Sequence, residues 1–108
     1  MSLPPALRNL TPDEVAQGLA EDRIVLIDVR EIYEFDAERI AGSVNLPLSA
    51  FTSEAVVAPA GKTVVISCAG GVRSARAVQQ CRLDGLDITD HLAGGINAWK
   101  AAGLPTVR

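Results

Sequence analysis

Thr63-Val64-Val65-Ile66-Ser67-Cys68-Ala69-Gly70-Gly71-Val72-Arg73-Ser74 is the stretch that decides the fold. Its opening five residues form an apolar, largely β-branched run of the kind found in a strand buried on both faces. Ser74 to Leu83 then carries helical spacing, with Val78 and Cys81 three apart on one apolar side. The pattern predicts a lone thiol in a tight glycine loop between a strand end and a helix N-terminus. Helix-end amides and a nearby guanidinium favour the thiolate over the thiol. Two adjacent glycines let the loop turn its N–H groups inward as an anion cradle.

The flanks repeat the same alternation. Upstream, Thr11-Pro12-Asp13-Glu14 reads as a helix start, with a threonine cap, proline at the first helical position and Glu14 closing a capping box. Val15, Leu19 and Ala20 continue it. Ile24-Val25-Leu26-Ile27 is a second doubly buried run, ending in Asp28-Val29-Arg30, and a short helix is expected around Glu31 to Asp36. Val44-Asn45-Leu46 is a brief strand that Pro47 ends. Ser49 to Val57 reads as a weak helix. Downstream, Asp87 to His91 reads as the last strand, and Gly94-Gly95 opens a final helix with Ile96 and Trp99 on one side. Gly103 ends that helix.

Strands alternating with helices predict an α/β fold: a mainly parallel sheet of about five strands with helices on both faces. Ligands in such sheets bind beyond the carboxyl ends of the strands, and Cys68 stands at one of those ends.

At 108 residues, 48% of them hydrophobic and 4% aromatic, the chain suits a single domain with an aliphatic core, residues 1–7 forming a loose arm. A net charge of −3 argues against nucleic acid or an anionic membrane as partner. The two cysteines make no disulfide framework, and no Cys/His spacing suits a metal. The opening residues lack a basic region followed by an apolar stretch, so no signal peptide is expected and a reducing, cytoplasmic setting is the expectation.

Candidate site residues divide by how strongly they ask for chemistry. Cys68 reads as a reactive thiolate, with an inert buried residue as the alternative. Arg73 sits in a helix's first turn, against the dipole, which suggests an anion between it and the loop amides. Ser74 is either the helix cap, the preferred reading, or a hydroxyl near the sulfur. Asp28 and Arg30 are read as a structural ion pair that could also lend charge to the pocket. His91 is read as a hydrogen-bonded structural residue, a Cys–His pair being the alternative. Cys81 is read as core, with a resolving thiol as the weaker option.

Four stretches in order resemble the rhodanese homology domain, a single-domain sulfurtransferase module. They are Ile27-Asp28-Val29-Arg30-Glu31 with Glu34-Phe35, then Ile40 to Pro47, then Cys68 to Ser74, then Leu92-Ala93-Gly94-Gly95-Ile96-Asn97-Ala98-Trp99. The resemblance implies that Cys68 accepts a sulfane sulfur as a persulfide, held by the amides of Ala69, Gly70, Gly71, Val72 and Arg73. Asp28, Arg30 and Ser74 would support the site. It implies a small anionic donor such as thiosulfate, a thiol, protein-thiol or cyanide acceptor, no metal or organic cofactor, and a monomer or weak dimer. Where many relatives carry Gly-His-Ile, this chain has Glu38-Arg39-Ile40, and Arg39 is read as a surface charge at the pocket rim. Two other functions share the loop: a cysteine-dependent phosphatase or arsenate reductase, and a non-catalytic redox-sensing or binding module. Tyrosine-phosphatase-type loops place five residues between Cys and Arg. Here four intervene, a smaller cradle.

Overall fold

The computed structural model describes residues 7–108. The elements run β1 (Arg8–Leu10), α1 (Pro12–Ala20), β2 (Ile24–Asp28), α2 (Ile32–Ala37), β3 (Val44–Asn45), β4 (Thr63–Ser67), α3 (Val72–Leu83), β5 (Asp90–Leu92) and α4 (Gly95–Ala101). The five strands form one sheet in the order β1-β5-β4-β2-β3, and every pairing is parallel. The central pair, β2 and β4, is in register from Ile24 opposite Thr63 to Asp28 opposite Ser67.

Two apolar layers cover the sheet. On one side Val15 of α1 and Ile96 and Trp99 of α4 pack on Ile24, Leu26, Val65 and Leu92. On the other, Ala77, Val78 and Cys81 of α3 pack on Ile27, Val64 and Ile66, together with Val29 and Cys68. Alternate residues of each central strand therefore serve opposite cores, which is why both strands read as continuous apolar runs. The helix start at Thr11 forms as expected: Glu14 N–H donates to Thr11 Oγ1 (3.1 Å) and Thr11 N–H to Glu14 Oε1 (2.9 Å).

The structure departs from the sequence reading in four places. Arg8–Leu10 is a strand, although nothing in its short polar pattern announces one; it is held by pairing with β5 alone. Ser49 to Val57 is not a helix but holds two 3-10 turns, Leu48–Ala50 and Ser53–Ala55. The last strand is Asp90–Leu92 rather than Asp87 to His91, because its ladders to β1 and β4 both begin at Asp90. And α3 begins at Val72, two residues before Ser74. Of the arm expected at residues 1–7, only Leu7 lies within the described residues. No helix among those residues is long and apolar enough to cross a membrane.

Candidate active site around Cys68

β4 ends at Ser67 and α3 begins at Val72, so Cys68 to Gly71 form the whole connection. Gly71 caps the helix with φ +101°, a left-handed conformation that costs glycine little. That turn points two backbone N–H groups at the sulfur. Gly71 N–H donates to Cys68 Sγ at 3.0 Å and Ser74 N–H at 3.3 Å. Both come from the start of a twelve-residue helix, where the unpaired amides and the dipole favour negative charge.

Cys68 is only 1% exposed, so the sulfur is enclosed rather than open to solvent. The loop folds over it, with Gly70 outermost and Ala69 and Gly71 half-buried. Ser74 is not the cap either, since Gly71 holds that position. Its side chain lies instead beside the sulfur, Sγ to Oγ 3.5 Å, completely buried.

The second glycine pair supports the loop from outside. Ile96 N–H donates to Cys68 O (2.8 Å) and Asn97 N–H to Ala69 O (3.1 Å). A Cβ on Gly95 would stand 2.2 Å from the Cys68 carbonyl oxygen. Only a residue without a side chain allows α4 to start so close to the loop.

Arg73 projects from the first turn of α3 and is held by a carboxylate. Its Nη1 lies 2.7 Å from Glu34 Oε1 and its Nη2 3.0 Å from Glu34 Oε2. The hydrogen bonds from Arg73 pull the Glu34 carboxyl down to about 2, against a smaller opposing effect of burial. The Arg73 pKa is raised in turn, chiefly by the Glu34 hydrogen bonds and also by the charge of Cys68. An anion does face this arginine, then, but it is one supplied by the chain.

Glu34 is placed by the Asp28–Arg30 pair. Arg30 is 5% exposed and Asp28 3%. The guanidinium grips the Asp28 carboxylate through Nε and Nη2 (3.0 and 2.9 Å to Oδ2) and donates onward to Glu34 O (3.3 Å) and Glu38 O (2.6 Å). Arg30, just past the end of β2, thereby holds the middle and the C-cap of α2. Asn45 closes the arrangement by donating to Asp28 O and Arg30 O. Arg39, expected as a surface charge, is half-buried. It lies over the Phe35 ring at 5.2 Å, and its backbone bridges to Val107.

His91, buried in β5, hydrogen-bonds on both sides: Nδ1 to Ser74 Oγ at 2.8 Å and Nε2 to Asn9 Oδ1 at 2.6 Å. Asn9 was invisible to sequence reading because its strand was. Glu34 carried one usable signal, its place three residues after Glu31 in a capping pair, which the structure contains. Cys81 is fully buried and its thiol pKa is raised by burial, as suits a core residue. Among the described residues, no group of three His, Cys, Asp or Glu side chains converges on a metal-sized site. A cleft of about 380 Å³, lined by Arg8, Lys62, Thr63 and Asp90 among others, opens at the amino ends of β4 and β5, at the end of the sheet away from Cys68.

The Rhodanese-like domain family model matches residues 11–102. The chain belongs to the rhodanese-like family. An uncharacterized protein of Synechocystis, slr1261, is 41% identical over 93% of this chain and 56% of its own length. The probable adenylyltransferase/sulfurtransferase MoeZ of Mycobacterium tuberculosis is 39% identical over 84% of this chain and 24% of its own. The chain thus spans about half of the first relative and a quarter of the second. A protein of Allochromatium vinosum named sulfurtransferase is 29% identical over 94% of this chain and 95% of its own. Among solved structures, a rhodanese-related protein of Thermoplasma volcanium superposes with a TM-score of 0.78 at 32% identity, covering 93% of this chain and 97% of that one. A Rhodopseudomonas palustris protein described as a possible tyrosine phosphatase superposes at 0.77 with 27% identity, covering 93% and 84%. These solved structures share the rhodanese-like fold with this chain.

Proposed function

We propose that this rhodanese-like chain is a sulfurtransferase that carries a sulfane sulfur on Cys68. The observation that supports this reading most is the pair of backbone N–H groups aimed at Cys68 Sγ from the first turn of α3. They favour the thiolate that the reaction needs as nucleophile. The thiolate attacks the outer sulfur of a small anionic donor such as thiosulfate. A bond forms between Cys68 Sγ and that sulfur, while the donor's own S–S bond breaks and its electron pair leaves on sulfite. The persulfide anion then sits among the amides of Ala69 to Arg73, and Arg73 attracts the donor's charge. A thiol acceptor removes the outer sulfur and returns the Cys68 thiolate, a double displacement through a covalent intermediate. No step calls for a cofactor.

The depth of the sulfur sets a condition on entry. The donor's outer sulfur must pass the Gly70–Gly71 roof, where a Cβ on Gly70 would meet nothing within 4 Å. A single sulfur atom suits this four-residue loop better than a tetrahedral phosphate does.

Intact mass after thiosulfate treatment tests the reading. The expected gain is one sulfur, ~32 Da, mapped to Cys68, reversed by cyanide or dithiothreitol and absent from Cys68→Ser. Aryl phosphate turnover, lost in Cys68→Ser and unaccompanied by any sulfur gain, would make the chain a phosphatase instead. Neither sulfur gain nor phosphate release would leave a binding or oxidant-sensing module.

A further inference from the structure

A buried thiol needs somewhere to put its proton, and the structure contains one continuous path. Cys68 Sγ lies 3.5 Å from Ser74 Oγ, Ser74 Oγ 2.8 Å from His91 Nδ1, and His91 Nε2 2.6 Å from Asn9 Oδ1. Cys68, Ser74 and His91 are buried, at 1, 0 and 4% exposure, while Asn9 is exposed on the edge strand β1. The chain of contacts therefore runs from the enclosed sulfur to the protein surface.

The donors and acceptors fix its direction. An amide oxygen only accepts, so Nε2 carries the hydrogen that lies on Asn9 Oδ1, and Nδ1 is left with its lone pair. Nδ1 then accepts the Ser74 hydroxyl proton, and Ser74 Oγ is free to accept from the thiol. The same hydroxyl lies 3.1 Å from Gly71 O, so it has a second resting acceptor and can rotate.

We propose that Ser74 and His91 form a proton relay that activates Cys68, with Asn9 as the residue that sets the histidine tautomer. The S–H bond breaks and its electron pair stays on sulfur. The proton passes to Ser74 Oγ as the Ser74 O–H proton passes to His91 Nδ1. The products are a thiolate, a serine hydroxyl now aimed at it and an imidazolium whose Nε2–H still donates to Asn9. Two protons each move one place, the net transfer is one proton from sulfur to imidazole, and total charge is unchanged. After the acceptor has taken the outer sulfur, the same path can return the proton. Ser74 touches the reacting sulfur; His91 and Asn9 are positioning residues that act through it.

Along this path the titratable group on the far side of Ser74 from His91 is Cys68. Asp90 and Arg8, adjacent on β5 and β1, project to the opposite face of the sheet, where they lie 3.6 Å apart. Arg73, on the helix packed against it, is engaged by Glu34. Burial lowers the His91 pKa, so the imidazole is neutral and able to accept at neutral pH.

The use of the thiolate rests on the sulfur-transfer reading, but the relay can be measured with no donor present. The readout is the rate of Cys68 alkylation by iodoacetamide from pH 5 to 9, peptide mapping separating it from Cys81. Ser74→Ala and His91→Asn, each checked for folding by circular dichroism, are expected to move the midpoint upward by about one unit, roughly tenfold slower labelling near neutrality. Coupling is reciprocal, so Cys68→Ser should lower the titration midpoint of His91, the chain's only histidine, followed by NMR. Asn9→Asp, at an exposed position, favours the imidazolium and should move the Cys68 midpoint down by a similar factor. Unmoved alkylation profiles in the folded variants, or a His91 titration indifferent to Cys68→Ser, overturn the relay. Shifted profiles in a protein that gains no sulfur from thiosulfate would keep the relay and sink the sulfurtransferase reading. Sulfur gain with unmoved profiles would do the reverse.

Discussion

Arg73 and Glu34 meet fork to fork, Nη1 at 2.7 Å from Oε1 and Nη2 at 3.0 Å from Oε2. The guanidinium at the mouth of the cysteine loop is therefore oriented before any donor arrives. Preorganised charge of this kind needs no rearrangement as the reaction proceeds. The pair also couples two parts of the fold that the sequence separates by 39 positions, α2 and the first turn of α3.

This pairing makes stability depend on acid. Glu34 has a folded pKa of about 2 against an ordinary 4.5, so the stabilisation is complete above pH 4.5 and is lost as pH falls toward 2. The pair is partly open to solvent, which limits its worth to about 1 kcal/mol at neutral pH. Glu34→Gln should lower stability by about that amount at pH 7 and by almost nothing at pH 2. Urea melts at the two pH values measure it, and equal losses at both would contradict the charge-based account.

Arg73 itself should matter more to rate than to folding. Arg73→Ala should lower kcat/KM for thiosulfate by roughly a hundredfold. Its melting temperature should fall only slightly, since the ion pair it loses is partly exposed. Arg73→Lys keeps the charge but not the fork, and should recover only part of the loss. Steady-state kinetics with paired thermal melts decide it. A large melting loss with unchanged turnover would assign Arg73 to structure alone.

The Asp28–Arg30 pair is a different case because it is buried. Asp28→Asn leaves the Arg30 guanidinium, 5% exposed, without its counter-charge, and breaking such a pair costs about 3–5 kcal/mol. Arg30 also fastens α2 through Glu34 O and Glu38 O. The variant should therefore lose stability in denaturant melts. At temperatures where it still folds, it should also lose donor use, because Glu34 no longer holds Arg73. Full activity in the folded variant would uncouple α2 from the site.

Much of this was legible in the sequence because the deciding elements carry local signals. Two doubly apolar runs announce a parallel sheet, and a cysteine, two glycines and an arginine between a strand and a helix announce a loop that binds an anion. The Thr11 capping box was readable for the same reason. What escaped depends on contacts between distant residues. Arg8–Leu10 has no apolar period and becomes a strand only by lying beside β5, so Asn9 could not be connected to His91. An anion was expected beside Arg73, but it could not be identified as Glu34 because that carboxylate lies in another helix. Ser74 looked like a cap because hydroxyls commonly are, whereas Gly71 could take the left-handed turn and release the side chain toward the sulfur. The burial of Cys68 follows from its packing with Ile27, Val29, Ile66, Ala77 and Val78, which lie on separate elements, so no local pattern encodes it.

The close contact of α4 with the loop backbone gives the sharpest structural prediction. Gly95 has φ +59°, and a Cβ there would lie 2.2 Å from Cys68 O and 2.5 Å from Ala69 O, both backbone atoms that cannot swing aside. Gly95→Ala must push α4 away from the loop and stretch the bonds from Ile96 N–H and Asn97 N–H to those carbonyls. A loss of about 3 kcal/mol or more is expected, from the clash together with the strained backbone. Gly103 is the matched control. It has φ +79° but open space around the missing Cβ, so Gly103→Ala carries the backbone strain alone, about 1 kcal/mol. Chemical denaturation of both variants separates the two costs. Faster alkylation of Cys68 in Gly95→Ala alone is expected as well, since a loop that has lost its two carbonyl bonds to α4 opens more readily over the sulfur; equal losses in the two variants, with Cys68 no more accessible in either, would mean that α4 does not hold the loop in place.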